Sequence, residues 1–106
     1  MISYLKKLFA GGPTVNYAQL LSAGAVIVDV RSAAEYKSGH IKGSVNIPLE
    51  NLKAGLSKLK KNTVVITCCA SGMRSAAAKN ILTSSGFSEV YNGGGWMSLQ
   101  KKSWLI

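Results

Sequence analysis

A three-layer α/β fold is predicted, with a mainly parallel central sheet flanked by helices on both faces. Two uninterrupted apolar runs carry the first argument: Ala25 to Val30, and Thr63-Val64-Val65-Ile66-Thr67-Cys68. Runs of this length, rich in β-branched residues, fit strands buried in a parallel sheet. The second argument is order, because segments of helical spacing alternate with the strands, and that alternation builds parallel sheets. The third is size. With 106 residues, 47% of them hydrophobic and 16% charged, the chain forms one folded domain with one modest core.

Taken in order, residues 1–12 form a short basic amphipathic segment whose Ile2, Leu5, Leu8 and Phe9 share one helical face. That face packs on the domain in the plain reading, and meets a membrane surface or a partner in the alternative. Its lysines follow the apolar residues, and no apolar run reaches the length of a signal core, so no secretory leader is expected. No stretch approaches the ~20 apolar residues of a membrane helix, and the cytoplasm is the default compartment. Gly11-Gly12-Pro13 separates this segment from the domain, residues 13–106.

Thr14-Val15-Asn16 reads as a short edge strand, with Asn16 capping a helix that runs through Leu21 and stops at Gly24. After the strand at Ala25–Val30, Ser32-Ala33-Ala34-Glu35 has the capping-box pattern and opens a short helix closed by Gly39. Val45-Asn46-Ile47 is a brief strand before Pro48. Leu49, Leu52, Leu56 and Leu59 repeat at steps of three and four, which predicts one helix with an apolar face. The strand at Thr63–Cys68 leads into a helix over Arg74–Ser85, with Ala77, Ala78, Ile81 and Leu82 at helical spacing. Gly86 suits the left-handed position after that helix, with Phe87 folded back toward Leu82. Glu89-Val90-Tyr91 is a last short strand, followed by a glycine turn and a terminal helix.

Thirteen basic and four acidic residues give a net charge of +9, which favours anionic partners. The lysines are scattered or in short pairs, with no basic stripe interleaved with aromatics and no groove-reading motif, so a nucleic-acid partner is not expected. A solvated surface is the plain reading, and steering of small anions a second effect. Cys68 and Cys69 are adjacent and make no disulfide framework, which fits a reducing compartment.

The chemistry concentrates at Cys69-Ala70-Ser71-Gly72-Met73-Arg74-Ser75. This segment leaves the carboxyl end of a strand and enters a helix N-terminus, where free backbone N–H groups and the helix dipole stabilise anions. In a doubly covered parallel sheet, ligands bind beyond those strand ends. A thiol placed there has a lowered pKa and is a better nucleophile. Gly72 lets the backbone curl so that N–H groups face inward, and Arg74 adds a fixed positive charge. A cation is disfavoured in a first helical turn, so Arg74 implies an anion nearby. Cys68 should point the other way, into the core, because side chains alternate along a strand. A relay thiol is the alternative for it. Ser75 divides between helix-start hydrogen bonding and contact with a bound sulfur.

The loop resembles the active-site loop of the rhodanese (sulfurtransferase) family. Two further stretches share the resemblance in family order: Asp29-Val30-Arg31 through Gly43-Ser44-Val45-Asn46-Ile47-Pro48, and Tyr91-Asn92-Gly93-Gly94-Gly95-Trp96. The resemblance implies transfer of sulfane sulfur from a small anionic donor such as thiosulfate or a polysulfide to a thiol or protein acceptor. It makes Cys69 the nucleophile, with Ala70, Ser71, Gly72, Met73, Arg74 and Ser75 binding the substrate. Asp29 and Arg31 are turn-fixing groups behind the loop, His40 is chiefly structural, and Glu35 is accounted for by its cap. Trp96 is expected near the pocket mouth, and Leu99 stands where the family often has an aromatic. No metal or organic cofactor is implied, and a monomer or weak dimer is expected. Two other readings compete: a persulfide carrier or regulatory module without turnover, and a phosphatase or arsenate reductase of the related fold. The latter families place five residues between cysteine and arginine, whereas here there are four, Ala70 to Met73.

Overall fold

The computed structural model describes residues 15–104. The amphipathic segment 1–12 and Thr14 lie outside them. Val15 and Asn16 are not in a strand, so the expected edge strand is absent from the described residues. Asn16 instead caps helix α1 (Tyr17–Ser22), its side chain accepting the Gln19 N–H at 3.0 Å. Gly24, at φ +107°, ends that helix. The Gly24 N–H reaches the Leu21 carbonyl and the Ala25 N–H the Leu20 carbonyl, a paired closure that turns the chain into the sheet.

The sheet has four parallel strands in the order β2-β1-β3-β4, comprising β1 (Val26–Asp29), β2 (Val45–Asn46), β3 (Val65–Cys69) and β4 (Val90–Gly95). Helix α2 (Ala33–Lys37) opens with the expected capping box, Ser32 and Glu35 each satisfying the other's backbone N–H. Two core clusters show the three layers. Val65 and Cys69 face one cluster with Val28, Leu52, Ala78, Leu82 and Phe87; Ile66 and Cys68 face another with Tyr17, Ile27, Ile41 and Leu99. The two-residue period of a strand sorts the cysteines onto opposite faces.

The leucine run is not one helix. A 3-10 turn (Leu49–Asn51), one α turn (α3, Leu52–Gly55) and a second 3-10 turn (Leu56–Lys58) follow in sequence. The steps of three, Leu49 to Leu52 and Leu56 to Leu59, coincide with the 3-10 turns, whose side chains repeat every three residues. Gly55 weakens a continuous helix, and its missing side chain admits Ile47, whose Cγ2 would lie 2.9 Å from a Cβ there. The leucines still turn one face to the core: Leu52 is buried, and Leu49, Leu56 and Leu59 pack against the same cluster.

Helix α4 spans Met73–Ser84, one residue earlier at each end than the spacing predicted. Gly86, at φ +104°, and Phe87 close it as expected, with the Phe87 N–H on the Leu82 carbonyl and both side chains in one cluster. The expected glycine turn is the end of β4 itself. Thr67 pairs with Asn92 and Cys69 with Gly95, so β4 carries one extra residue across that interval. This bulge, with Gly94 at φ +80°, tilts the strand end toward the loop after β3. Helix α5 (Trp96–Trp104) follows directly. Among the described residues no helix is long and apolar enough to cross a membrane.

Candidate active site

Cys69 is the last residue of β3 rather than the first of the turn, and it is buried. What separates it from a core thiol is the set of donors around its sulfur. Gly72 is the N-cap of α4 at φ +109°, in the left-handed region that glycine enters without strain. That conformation aims the Gly72 N–H at Cys69 Sγ, 2.9 Å away. The Ser75 N–H, in the first turn of α4, points at the same atom from 3.3 Å. The Ser75 hydroxyl lies 3.5 Å from the sulfur and accepts its proton while Cys69 is a thiol.

Burial is the largest single influence on this thiol and pushes its pKa up. The Ser75 hydroxyl and the backbone N–H groups of Ser75, Gly72 and Ser71 together outweigh it, and the net shift is downward. Arg74, expected to share in this, is not among the leading causes. Cys68 shows the contrast. Burial first, and then the Asp29 charge, push its thiol far up, so it stays protonated on the opposite face of the sheet.

The loop rests on the bulged end of β4. A Cβ on Gly95 would lie 2.9 Å from the Ala70 carbonyl oxygen, and one on Gly72 would lie 3.6 Å from Gly94 Cα. Ala70, Ser71 and Met73 project outward, Met73 with 82% of its surface exposed, so the buried sulfur lies within a thin exposed loop.

The anion implied by Arg74 is part of the protein. Arg74 donates two hydrogen bonds to the Glu35 carboxylate, at 2.7 and 3.0 Å, joining α4 to α2. Glu35 therefore does more than cap its helix. The Arg74 guanidinium first, and the Ser32 N–H second, hold its carboxyl down at about 2. The sign follows: a carboxyl lowered in the folded state stays ionised until the pH falls toward 2, so the pair is intact throughout the neutral range.

Asp29 and Arg31 form a buried pair beneath this region. Arg31 donates to Asp29 Oδ2 at 2.8 Å, and to the carbonyl oxygens of Gly39 and Glu35 at 2.7 and 3.3 Å. Trp96 covers the Arg31 guanidinium at 4.7 Å, and its ring edge packs on Gly39, 3.2 Å from where a Cβ would sit, so it braces this pair. Leu99 is buried in the core and lines no opening. His40 stacks on Tyr36 at 3.7 Å with Nδ1 2.7 Å from the Tyr36 carbonyl oxygen, a structural setting.

Asn92 was missed as a site residue. It stands opposite Thr67 on β4, with its side-chain oxygen 2.6 Å from the Ser75 hydroxyl. One polar side chain amid three glycines was its only signal in the sequence. Among the described residues no group of three or more His, Cys, Asp or Glu side chains gathers as metal ligands do.

A family-wide sequence profile described as the rhodanese-like domain matches residues 14–102. The chain belongs to the rhodanese-like family. Among curated relatives, the thiosulfate sulfurtransferase PspE of Escherichia coli is 37% identical over 70 residues, 64% of this chain and 67% of its own. The thiosulfate sulfurtransferase GlpE of Pseudomonas fluorescens is 32% identical over 92 residues, covering 87% of this chain and 84% of its own. Among solved structures, a human single-domain sulfurtransferase of the same fold superposes with a TM-score of 0.72 at 28% identity, over 87% of this chain and 98% of that one.

With the Gly72 and Ser75 N–H groups on its sulfur, alkylation of Cys69 should follow a titration with its midpoint below the ordinary cysteine value of ~8.5. Reaction rate against pH, read by mass at Cys69, checks this. A midpoint at or above that value means the loop does not activate its sulfur.

Proposed function

We propose that the protein is a sulfurtransferase that carries sulfane sulfur as a persulfide on Cys69. The carrying observation is the convergence of the Gly72 and Ser75 N–H groups on the Cys69 sulfur, at 2.9 and 3.3 Å. Thiosulfate sulfurtransferase, the activity for which the two relatives are named, supports the same reading. In the first half-reaction the Cys69 thiolate attacks the outer sulfur of thiosulfate. A sulfur–sulfur bond forms at Cys69, and sulfite leaves with the electron pair of the bond that breaks. In the second, a nucleophilic acceptor, cyanide in an assay or a thiol, takes the outer sulfur and Cys69 leaves as thiolate.

A phosphatase reading fits less well. The sulfur is buried under a loop with four residues between Cys69 and Arg74, and a single terminal sulfur atom reaches such a site more easily than a tetrahedral phosphoryl group. A misplacement of ~1 Å costs on the order of a hundredfold in rate. Incubation with thiosulfate should add the mass of one sulfur atom at Cys69, and cyanide should remove it with repeated turnover. A protein that does not load, or that hydrolyses phosphate esters as fast as it transfers sulfur, overturns the assignment. One that loads but does not cycle is a carrier.

The Glu35–Arg74 pair should tune the anionic donor. Arg74→Ala leaves the Glu35 charge uncompensated beside the loop, and should raise the half-saturation for thiosulfate by about fivefold at low salt. Glu35→Gln releases Arg74 and should lower it by a similar factor. Both effects should shrink with added salt, and neither should much change sulfur release to a neutral thiol. Steady-state kinetics with thiosulfate varied at two salt concentrations decide the matter. Equal changes in both half-reactions would mean that the pair only braces the loop.

A further inference from the structure

The Ser75 hydroxyl sits among partners that compete for its single proton. It lies 2.6 Å from Asn92 Oδ1, 3.0 Å from the Gly72 carbonyl oxygen and 3.5 Å from Cys69 Sγ. Asn92 makes the shortest of these contacts. With its proton on the Asn92 oxygen, Ser75 can meet the sulfur only as an acceptor, so that the Cys69 S–H donates to it. This polarity suits a thiol. A thiolate has no proton to give and needs the opposite arrangement, with Ser75 donating to sulfur.

Asn92 is placed so that it can release Ser75 at little cost. Its side-chain oxygen also accepts the Gly94 N–H at 2.9 Å, so it keeps a partner when Ser75 turns away. Its position is fixed by the β3–β4 ladder opposite Thr67, and by the Tyr17 hydroxyl, which donates to the Asn92 backbone carbonyl at 3.3 Å. The Ser75 backbone is equally pinned, since Thr67 Oγ1 donates to its carbonyl at 2.8 Å. Ser75 is fully buried, which leaves the rotation of one O–H bond as the free coordinate.

We propose that Asn92 is a positioning residue for sulfur transfer: it takes the Ser75 proton while Cys69 is a thiol and yields Ser75 to the sulfur when Cys69 is an anion. The inference rests on Cys69 being the reactive sulfur. On ionisation the S–H proton leaves to a base in solvent, and the Ser75 O–H turns from Asn92 Oδ1 to Sγ. No covalent bond in either side chain changes, and the step reverses on reprotonation.

The charged and titratable groups around this network are otherwise engaged. Arg74 of α4 is held by Glu35 of α2, and Asp29 at the end of β1 pairs with Arg31. Tyr17 of α1 bonds the Asn92 backbone, and Cys68 faces the opposite side of β3.

The test is the acidity of Cys69, read as its alkylation rate with iodoacetamide against pH and localised by mass. Four proteins are compared: the parent, Asn92→Ala, Ser75→Ala and the double variant. Loss of the Asn92 oxygen leaves the Gly72 carbonyl, at 3.0 Å, as the one remaining competitor for the Ser75 proton, and should lower the midpoint by about half a pH unit, the worth of one modest hydrogen bond. Ser75→Ala should raise it by about one unit. In the Ser75→Ala background, Asn92→Ala should then have no effect. If Asn92 merely braces the loop, its loss disturbs the Gly72 N–H and raises the midpoint with or without Ser75, which overturns the proposal.

Should Asn92→Ala not fold, Asn92→Asp keeps the side-chain shape and grips the Ser75 proton more firmly. Its midpoint should rise by about one unit with Ser75 present, and clearly less without it. Equal rises in the two backgrounds overturn the proposal as well. Alkylation needs no sulfur donor, so the two readings fail separately. A Cys69 that is neither activated nor loaded by thiosulfate ends both, whereas an activated Cys69 indifferent to Asn92 ends only this one.

Discussion

Cys69→Ser should abolish sulfur loading and turnover together, a loss on the order of a thousandfold or more. A serine hydroxyl in the same place still receives the Gly72 and Ser75 N–H groups, which lie 2.9 and 3.3 Å from the present sulfur. It does not ionise near neutral pH, and its oxygen forms no persulfide. The variant therefore keeps the cradle and removes the chemistry, which makes a folding artefact easy to exclude by comparing melting curves. The adjacent cysteine supplies the control. Cys68 is buried among Ile66, Ile41 and Leu99 on the other face of the sheet, and burial and Asp29 keep its thiol protonated. Cys68→Ser should retain most of the transfer rate even if it costs some stability. Mass spectrometry after thiosulfate should find the added sulfur at Cys69 in the parent and in Cys68→Ser, and nowhere in Cys69→Ser. A Cys69→Ser protein that still loads, or a Cys68→Ser protein that does not, ends the single-cysteine mechanism.

What could be read in the sequence was set by local physics. The two apolar runs are the two central strands, and the Asn16 and Ser32 caps and the Gly86 closure stand where side-chain chemistry requires them. The alternation of side chains along β3 was enough to send Cys68 and Cys69 to opposite faces. Where the reading failed, the deciding contact lay far along the chain. The stretch Asn92-Gly93-Gly94-Gly95 looks like a turn by composition, yet it pairs with β3 because Gly93 fits against Leu99, Ile66 and the Thr67 carbonyl, where a Cβ would lie within 2.9 Å of each. The leucine run shows helical spacing, but its steps of three settle into 3-10 turns around Gly55.

The candidate site divides in the same way. The strand exit, the left-handed Gly72 and the N–H groups aimed at the sulfur follow from a short segment of sequence. Glu35 and Arg74 are 39 positions apart, and nothing local to either names the other. The positive charge in a first helical turn implied an anion nearby, and in the structure a side chain of α2 lies against it. Asn92 gave still less away, because a strand bulge is needed to bring Gly95 opposite Cys69 and set the loop against β4.

Asp29→Ala should destabilise the fold by about 3–5 kcal/mol, because it leaves a buried guanidinium without its carboxylate. Arg31 is 4% exposed and Asp29 is fully buried, and the carboxylate receives Arg31 Nε at 3.0 Å and a terminal guanidinium nitrogen at 2.8 Å. Domains of this size have about 5–15 kcal/mol in total, so the variant should be near its folding threshold at room temperature. The double variant Asp29→Leu with Arg31→Met discriminates between causes. If the loss comes from the unpaired charge, removing both charges should recover a good part of it, even though the Gly39 and Glu35 carbonyls lose their donor. Denaturant unfolding of the two proteins decides this, and a double variant no more stable than Asp29→Ala would place the loss in the carbonyl contacts instead. The site should feel the single variant too. Arg31 ties down the end of α2 and lies under Trp96, and α2 carries the Glu35 that holds Arg74. Loosening that corner should weaken the Glu35–Arg74 bond before it disturbs Cys69, whose N–H partners belong to α4 and its cap. In Asp29→Ala the half-saturation for thiosulfate should therefore move while the alkylation midpoint of Cys69 stays close to that of the parent. A midpoint that moves as far as the half-saturation would mean that the buried pair supports the sulfur cradle itself.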